Sequence, residues 1–417
     1  MSDSQRPIRV LFNDSHANLP NSTLIPQGGP SRFSQFFTTY FEHTVRDIEL
    51  SSLLFSHNDT DARIYRRETL RHRLYQEIVY PGKKLTRSYT RVYTKAAYIK
   101  FLAPWLTLVG EALDRAQPDI VFLNGYSLSN WMILHEASKR NIPICVQLAG
   151  IWKKEIWAVR HRFSPSIRRI FASFEKDIIQ KASSQIFLNE FSRDTFFTEH
   201  ATALTPDMRA RTAVIPLPIM METPVRAMHL EKQPMQRVAT IARWDLIKNH
   251  HAVMRLAVHA HKMHAPFSVL SITKWAETPK TELKRRYSDF VQVIPPMLPN
   301  KLHAFYDSID IGIVLSRFET ASMVLMEAIL SGKPVVISDS IGWVSDYKQF
   351  GLDDFVVRPA ASGKVLVETL THLIQERHTY LPRFQKLQKK ILREHTPEKV
   401  FKAYYKIFTN LAKSYAK

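Results

Sequence analysis

The stretch from Asp310 to Ser338 limits the fold of this chain more than any other segment. It reads DIGIVLSRFETASMVLMEAILSGKPVVIS, with an apolar, β-branched run at each end, over residues 311–315 and 334–337. Between these runs, apolar residues recur at helical spacing, and Gly332 stands where a glycine after a helix C-cap belongs. The pattern predicts a strand, loop, helix and strand, with both strands buried.

Two carboxylates in this stretch have different expected positions. Glu319 precedes small and hydroxyl residues suited to a helix start, so we expect it on the loop above the carboxyl end of the first strand, where open α/β sheets bind ligands. The amides of Ser322, Met323 and Val324 are then unpaired donors that favour an anion such as diphosphate. Glu327 lies in apolar sequence, needs a partner and is placed to reach a ribose. The alternative is that both glutamates are solvated.

The pair Glu319 and Glu327 forms an E-x7-E pattern, and residues 316–338 resemble the donor-binding unit of retaining glycosyltransferase family 4. The resemblance covers residues 237–359 most closely and is less close in the N-terminal half. It implies the GT-B fold, an α/β architecture of two Rossmann-like, doubly wound parallel-sheet domains that face a central cleft.

Two basic residues, Arg243 and Lys248, follow another predicted strand in ATIARWDLIKNHH. Sugar transfer builds negative charge on the departing diphosphate, so the site needs fixed cations. The pair resembles the Arg-x4-Lys element of the same family, which implies that both cations bind the donor diphosphate. The resemblance therefore names Glu319, Lys248 and Arg243 as the catalytic set, whereas the simpler alternative is two solvated basic residues.

The N-terminal half offers further candidates. Gly28 and Gly29 end a long loop after the first predicted strand; they resemble the glycine loop that approaches the donor phosphate, although a Gly-Gly-Pro is also an ordinary turn signal. After the predicted strand 143–148 many family members carry a histidine beside a glycine. This chain has Gln147 and Gly150 in that region, and we take them as acceptor-side candidates.

A second departure from the family lies directly after the first glutamate. Thr320 and Ser322 stand where the family often has a glycine-rich loop, and they are expected to add bulk and hydroxyl groups beside the sugar. The donor is therefore predicted only as a nucleoside-diphosphate sugar of the UDP or GDP type.

Strands and helices alternate along the whole chain, which predicts parallel, doubly wound sheets. The 417 residues exceed the size at which a single core usually keeps growing. A proline-rich segment after residue 216 marks a change of domain. We expect an N-terminal acceptor domain over 1–220, a donor domain over 221–395 and a last helix over 396–417. The resemblance implies that this helix crosses back to the N-terminal domain.

The net charge of +20 is concentrated in residues 61–100, 151–171 and 380–417. In 151–171 tryptophans alternate with cations, which is typical of an anionic membrane surface but also of an amphipathic helix packed on its own sheet. The sequence pI of about 9.9 also suits a nucleic-acid binder. That interpretation explains neither the cations nor the glutamates of the predicted site, and no nucleic-acid motif is present in the sequence, so we expect no nucleic-acid partner.

Localisation and cofactors are inferred from what the sequence contains. The start runs from a polar tail into a strand, no apolar run approaches the roughly 18 to 20 residues of a membrane span, and the single Cys145 fits a reducing compartment. We expect a cytoplasmic protein, peripheral at the inner face of the membrane if the basic segments bind lipid. No Asp-x-Asp or clustered His/Cys pattern predicts a metal or cofactor.

The expected function is retaining transfer of a hexose-type sugar from a nucleoside-diphosphate sugar to a glycan or lipid-linked acceptor, as in polysaccharide biosynthesis. The resemblance implies that the leaving phosphate oxygen takes the acceptor proton and that no metal is needed. The missing histidine leaves one alternative open, a nucleotide-sugar-binding protein that has lost catalysis.

Overall fold

The structure is a computed structural model, and it describes residues 6–14, 29–56, 72–79, 94–158, 164–220, 225–231, 233–274, 280–298 and 301–415. The chain divides into two compact units. The first comprises Met1–Met220 together with Pro397–Lys417, and the second comprises Met221–Thr396.

Seven parallel strands form the sheet of the first unit in the described residues. They are β1 (Ile8–Asp14), β2 (Ile48–Ser56), β3 (His72–Val79), β4 (Ile120–Asn124), β5 (Ile144–Leu148), β6 (Ser184–Phe187) and β7 (Thr212–Val214), in the order β3-β2-β1-β4-β5-β6-β7. The helices between them are α1 (Gly29–His43), α2 (Lys95–Ala116), α3 (Leu128–Lys139), α4 (Trp152–Ala158), α5 (Pro165–Lys181), α6 (Glu190–Glu199) and α7 (Pro206–Ala210). The strand predicted over 143–148 is confirmed as β5.

In the second unit, six parallel strands form the sheet within the part of the chain that is described. They are β8 (Gln236–Ile241), β9 (Phe267–Ile272), β10 (Gln292–Ile294), β11 (Ile311–Val314), β12 (Val335–Ser338) and β13 (Val356–Val357), in the order β10-β9-β8-β11-β12-β13. The helices are α8 (His250–Lys262), α9 (Thr281–Phe290), α10 (Leu302–Asp307), α11 (Met323–Leu330), α12 (Val344–Gln349), α13 (Gly363–Gln375) and α14 (Arg377–Glu394).

Both sheets reverse their strand order once, between β1 and β4 in the first unit and between β8 and β11 in the second. Helices on either side of such a reversal leave in opposite directions, so a crevice opens above the carboxyl ends of the two strands. In the second unit β8 and β11 pair directly, with Ile311 opposite Val238. The predicted doubly wound architecture is confirmed, and the reversal brings the loops after β8 and β11 together.

The tight packing of α11 on β11 depends on Gly312. A Cβ atom at this position would lie 3.2 Å from Val335 and 3.4 Å from Ala328. Just after the same end of α11, Gly332 has a φ of +76°, as predicted for a residue after a C-cap. The two glycines therefore both act at the carboxyl end of the helix.

The last helix, α15 (Pro397–Tyr415), belongs to the first unit. It buries an aromatic face in which Phe401 lies edge-on to Phe33 and Phe37, with ring centroids 5.7 and 5.9 Å apart. Its Tyr404 hydroxyl donates to the buried amide oxygen of Gln147 on β5. The hydrophobic stripe of this helix thus completes the core over β1 and β4.

The basic segment 151–171 packs on its own unit where the structure describes it. The indole of Trp152 lies 5.1 Å from the ring of Phe171, and Lys154 pairs with Glu199 at 2.7 Å. Residues 159–163 lie outside the described residues. Of the two interpretations of this segment, these contacts agree with an amphipathic helix that packs within its own domain.

One of the described helices, α2, is long and apolar enough to cross a membrane by length and composition alone. It contains Pro104 and packs one face against α3. Eight of its residues are buried within the unit: Tyr98, Leu102, Leu106, Val109, Gly110, Ala112, Leu113 and Ala116.

Candidate active site

Hydrogen bonds join the loops after β8 and β11. The backbone amide of Arg317 donates to the carbonyl oxygen of Ile247 at 2.7 Å. The side-chain amide of Asn249 donates to the carbonyl oxygens of Leu315 at 3.0 Å and Pro359 at 2.9 Å. Three strand ends, those of β8, β11 and β13, are therefore held to one another at the carboxyl edge of the sheet.

Lys248 and Glu319 meet at this edge. Lys248 lies in the short 3₁₀ turn Leu246–Lys248, and its Nζ atom is 2.9 Å from Oε1 of Glu319. The other carboxylate oxygen accepts a 2.8 Å hydrogen bond from the Ser316 hydroxyl. The two side chains are only 23% and 15% exposed, so each group is largely fixed by the other. The structure brings together these two predicted site residues.

Backbone contacts fix Glu319 on the loop before α11, as the sequence predicts. Its amide donates to the carbonyl oxygen of Ser340 at 3.1 Å, and its carbonyl oxygen accepts from the amide of Gly342 at 2.9 Å. These bonds place Glu319 as an isolated bridge residue beside Ile341. The carboxylate therefore projects from backbone anchored to the neighbouring loop.

Helix α11 begins at Met323 with Ser322 as its N-cap, and the Ser322 hydroxyl accepts from the amide of Leu325. The first-turn amides of Met323 and Val324 have no partner within the helix and carry the positive end of its dipole. Thr320 and Ser322 are both buried, and the Ser322 oxygen accepts the cap hydrogen bond. Their expected place beside the sugar stays a prediction.

Glu327 lies in α11 and is 4% exposed. Its Oε2 atom accepts a 2.9 Å hydrogen bond from the hydroxyl of the buried Tyr306 in α10. The prediction that a carboxylate in this apolar sequence needs a partner is confirmed. Glu319 and Glu327 thus have separate partners and are held independently.

Arg243 follows β8, and its side chain is 65% exposed with Nε 3.3 Å from Asp245. Its carbonyl oxygen lies 3.0 Å from Nε2 of the buried His250, whose Nδ1 lies 3.1 Å from the Tyr287 hydroxyl. Burial lowers the pKa of His250 to about 4, so the ring is neutral at pH 7. Because a carbonyl only accepts, Nε2 carries the proton and Nδ1 accepts from Tyr287. The guanidinium stays accessible while its backbone is anchored.

The first unit holds the remaining predicted residues. Gly28 lies outside the described residues, and Gly29 is the first residue of α1. Gln147 is buried, and its side-chain amide nitrogen donates to Asn124 while its oxygen accepts from the last helix. A Cβ atom at Gly150 would lie 2.1 Å from the Glu155 carboxylate. Gln147 therefore has a packing role that the sequence did not predict, and its contact with an acceptor stays a prediction.

Sequence reasoning missed Ser316, Tyr306 and Asn249. Ser316 directly follows a predicted strand three residues before Glu319, a position that marks a polar residue at the sheet edge. Asn249 directly follows Lys248, and asparagine tolerates the left-handed conformation that its φ of 56° requires. Nothing in the sequence links Tyr306 to Glu327, because the contact depends on how α10 and α11 pack.

Within the part of the chain that the structure describes, no group of three or more His, Cys, Asp or Glu side chains is placed to hold a metal ion.

Comparison with protein families identifies the class of enzyme. Residues 227–391 match the model of the family described as glycosyl transferases group 1, a range that contains both cations and both glutamates. The chain is a glycosyltransferase. No curated protein matches the chain in sequence.

Solved structures show the fold of the glycosyltransferase. Sucrose-phosphate synthase from Thermosynechococcus elongatus superposes with a TM-score of 0.70 at 11% identity, covering 98% of this chain and 100% of that one. The structure described as trehalose-6-phosphate from E. coli bound with UDP-2-fluoro glucose gives 0.66 at 12% identity, covering 97% and 99%. A glycosyltransferase from Rickettsia africae gives 0.63 at 12% identity, covering 98% and 100%. The predicted GT-B fold class is confirmed.

Proposed function

We propose that this glycosyltransferase is a retaining enzyme of the family 4 type that transfers a hexose-type sugar from a nucleoside-diphosphate sugar. The observation that carries the proposal is the Lys248–Glu319 pair at the carboxyl edge of β8 and β11, directly before the start of α11. A cation, a carboxylate and first-turn amides at one strand reversal suit a diphosphate with an attached sugar. We propose a donor of the UDP or GDP type, and the E. coli structural neighbour bound with UDP-2-fluoro glucose supports UDP.

Each residue has a role in the proposed reaction. Arg243, Lys248 and the amides of Met323 and Val324 stabilise the charge that develops on the leaving diphosphate. Glu319 orients the donor sugar through its hydroxyl groups. The bond from the anomeric carbon to the phosphate oxygen breaks, the acceptor oxygen bonds to that carbon on the same face, and the leaving phosphate oxygen takes the acceptor proton.

Glu327 is proposed to bind the ribose. Its carboxylate is held by Tyr306, so it accepts from ribose hydroxyls without first having to be ordered. Ser322 contributes through its position as the N-cap, which fixes where the first amides point. In the first unit, Gly28 and Gly29 are proposed to approach the donor phosphate, and Gln147 and Gly150 to lie on the acceptor side.

We propose that transfer is independent of a metal, because protein groups supply the positive charge at the diphosphate. Lys248 has three ammonium donors, of which Glu319 takes one in the structure. The exposed guanidinium of Arg243 adds a planar fork suited to phosphate oxygens. Addition of EDTA to the purified enzyme tests this point, and loss of turnover that Mg²⁺ restores would contradict it.

The proposed acceptor is a glycan or a lipid-linked glycan, and the proposed location is the cytoplasm, peripheral to the inner membrane face. The clustered basic segments support attraction to an anionic surface. Co-sedimentation with vesicles of phosphatidylglycerol against vesicles of phosphatidylcholine tests the location. Equal binding to both vesicles would contradict it.

A thermal-shift panel of nucleoside diphosphates and their sugars tests the donor, since a ligand that binds only the native state raises the melting temperature. Incubation of the responding donor with glycan, lipid-linked and glucose-6-phosphate acceptors then tests transfer. Proton NMR of the product reports the anomeric configuration. Inversion of that configuration relative to the donor would overturn the retaining mechanism, and binding without turnover would favour a nucleotide-sugar-binding protein.

A further inference from the structure

We infer that Asn249 is a positioning residue for the Lys248–Glu319 pair, an inference that rests on the proposed function. Asn249 is 1% exposed and has φ 56° and ψ 43°, the left-handed conformation that glycine adopts most readily. Asparagine tolerates this conformation better than most other residues. At Asn249 the side chain also clamps the carbonyl oxygens of Leu315 and Pro359.

The identity of the clamping atom follows from its neighbours. Two carbonyl oxygens surround the same terminal atom of Asn249, at 3.0 Å and 2.9 Å. Carbonyl oxygens only accept hydrogen bonds, so this atom is the NH₂ group, and both of its hydrogens are used. The bond to Leu315 is buried, so water cannot replace it without opening the loops, whereas the bond to Pro359 is partly buried.

The contacts form a closed ring around the predicted catalytic pair. Asn249 follows Lys248 in the chain and holds the carbonyl of Leu315, which precedes Ser316. The Ser316 hydroxyl donates to Glu319, and Glu319 pairs with the ammonium of Lys248. A shift of either loop would change the separation of the two charged groups. Asn249 thus sets the distance between the cation and the carboxylate.

The clamp also reaches β13. By holding Pro359, Asn249 joins the end of an edge strand to the end of the two central strands. Arg255 on α8 donates to the same Pro359 carbonyl and to Ala361, so this loop is held from two directions. Loss of the asparagine contacts is therefore expected to loosen the loop after β11 more than the loop after β13.

Asn249→Gly separates the role of the backbone conformation from the role of the carboxamide, because glycine keeps the left-handed backbone and removes the side chain. Asn249→Asp keeps the shape and sets carboxylate oxygens against both carbonyls. The matched control is Asn141→Gly, at an exposed asparagine with φ 55° in the first unit. We measure kcat and donor KM on protein whose folded fraction is verified by circular dichroism, together with hydrogen exchange of the unliganded protein.

The inference predicts that Asn249→Gly lowers kcat by about 10- to 100-fold, as expected for misplaced catalytic groups, while donor KM changes by less than about threefold. The kcat of Asn249→Asp falls further than that of Asn249→Gly, whereas the kcat of Asn141→Gly stays within about twofold of the wild type. Amides of residues 316–319 exchange faster in both Asn249 variants and are unchanged in Asn141→Gly. A kcat within about twofold of the wild type, or a loss explained entirely by unfolded protein, overturns the inference.

Failure of the proposed function gives a different pattern. The wild type itself then turns over no nucleotide sugar, and hydrogen exchange alone decides on the clamp. Faster exchange of residues 316–319 in Asn249→Gly, with no change in Asn141→Gly, supports the clamp. Unchanged exchange in both variants overturns it.

Discussion

The ammonium of Lys248 lies 2.9 Å from the carboxylate of Glu319, although each residue follows a different strand of the second sheet. Both side chains are mostly shielded from water, so the pair differs from the exposed ion pairs that contribute little to stability. The arrangement keeps a cation and an acceptor of hydrogen bonds at fixed positions before any substrate binds. Preorganised positive charge of this kind stabilises the negative charge that develops on a leaving diphosphate.

Glu319→Gln keeps the shape of the side chain and removes its charge. We expect transfer to fall by about 100-fold or more, because the amide neither pairs with Lys248 nor accepts equally from sugar hydroxyls. The free energy of unfolding should fall by about 1.5 to 3 kcal/mol, the contribution of hydrogen bonds to a charged group. Steady-state kinetics and urea unfolding measure both effects. Glu368→Gln, in the exposed Lys364–Glu368 pair, serves as the control and should change neither quantity.

Tyr306→Phe removes the hydroxyl that donates to the buried Glu327. Hydrogen bonds to charged groups contribute about 1.5 to 3 kcal/mol, so the unfolding free energy should fall by about that amount. Nucleoside diphosphate binding should weaken because Glu327 loses its fixed position. Tyr347→Phe removes a bond to the Val335 carbonyl and should cost only about 1 kcal/mol, with binding unchanged. Equal effects of the two changes on binding would contradict the ribose assignment.

The stability of the second unit should depend on pH through His250. Burial lowers the pKa of His250 from 6.5 to about 4, so between these values the unfolded chain binds a proton that the folded chain does not. The free energy of unfolding therefore has its full value above about pH 6.5. It falls by an amount on the order of 3 kcal/mol as the pH is lowered towards 4. Urea unfolding at several pH values measures it.

His250→Gln provides the comparison for this pH dependence, since glutamine does not titrate. The neighbouring charges of Asp245, Lys248 and His251 remain in the variant. Its unfolding free energy should change less steeply between pH 6.5 and pH 4 than that of the wild type. Parallel curves for the two proteins would show that His250 is not the group responsible.

Gly332→Ala should destabilise the second unit by about 2 to 4 kcal/mol. The backbone has a φ of +76°, and the new Cβ atom would lie 2.2 Å from the carbonyl oxygen of Ala227. Gly351→Ala is the matched control, because φ is +66° there and the nearest atom belongs to the flexible end of Arg383. Its cost should be about 1 kcal/mol. Calorimetric melting distinguishes the two, and equal losses would contradict the proposed clash.

Most of the fold follows from local patterns in the sequence. Short β-branched runs such as 311–315 and 334–337, separated by a helix and a terminal glycine, predicted buried parallel strands, and the structure contains them. Ligand binding at the carboxyl ends of such strands predicted the place of Glu319, and the family resemblance predicted that Arg243 and Lys248 would share its site. Lys248 and Glu319 lie together because the strand reversal leaves their loops adjacent.

Details that depend on packing were not predictable. The bond from Tyr306 to Glu327 depends on how two helices meet, and no spacing rule connects those residues. The hydrogen bonds of Gln147 to Asn124 and to the last helix also depend on packing. By contrast, the N-cap at Ser322 agrees with the helix start expected from the hydroxyl residues after Glu319.

Isothermal titration of UDP and GDP into the wild type, Lys248→Ala and Lys364→Ala tests the central claim most directly. The account predicts that at least one of the two ligands binds the wild type and Lys364→Ala equally well. It also predicts binding at least about tenfold weaker to Lys248→Ala, because a cation aimed at the diphosphate is lost. Equal affinity for all three proteins, or no binding of either ligand to the wild type, would contradict it.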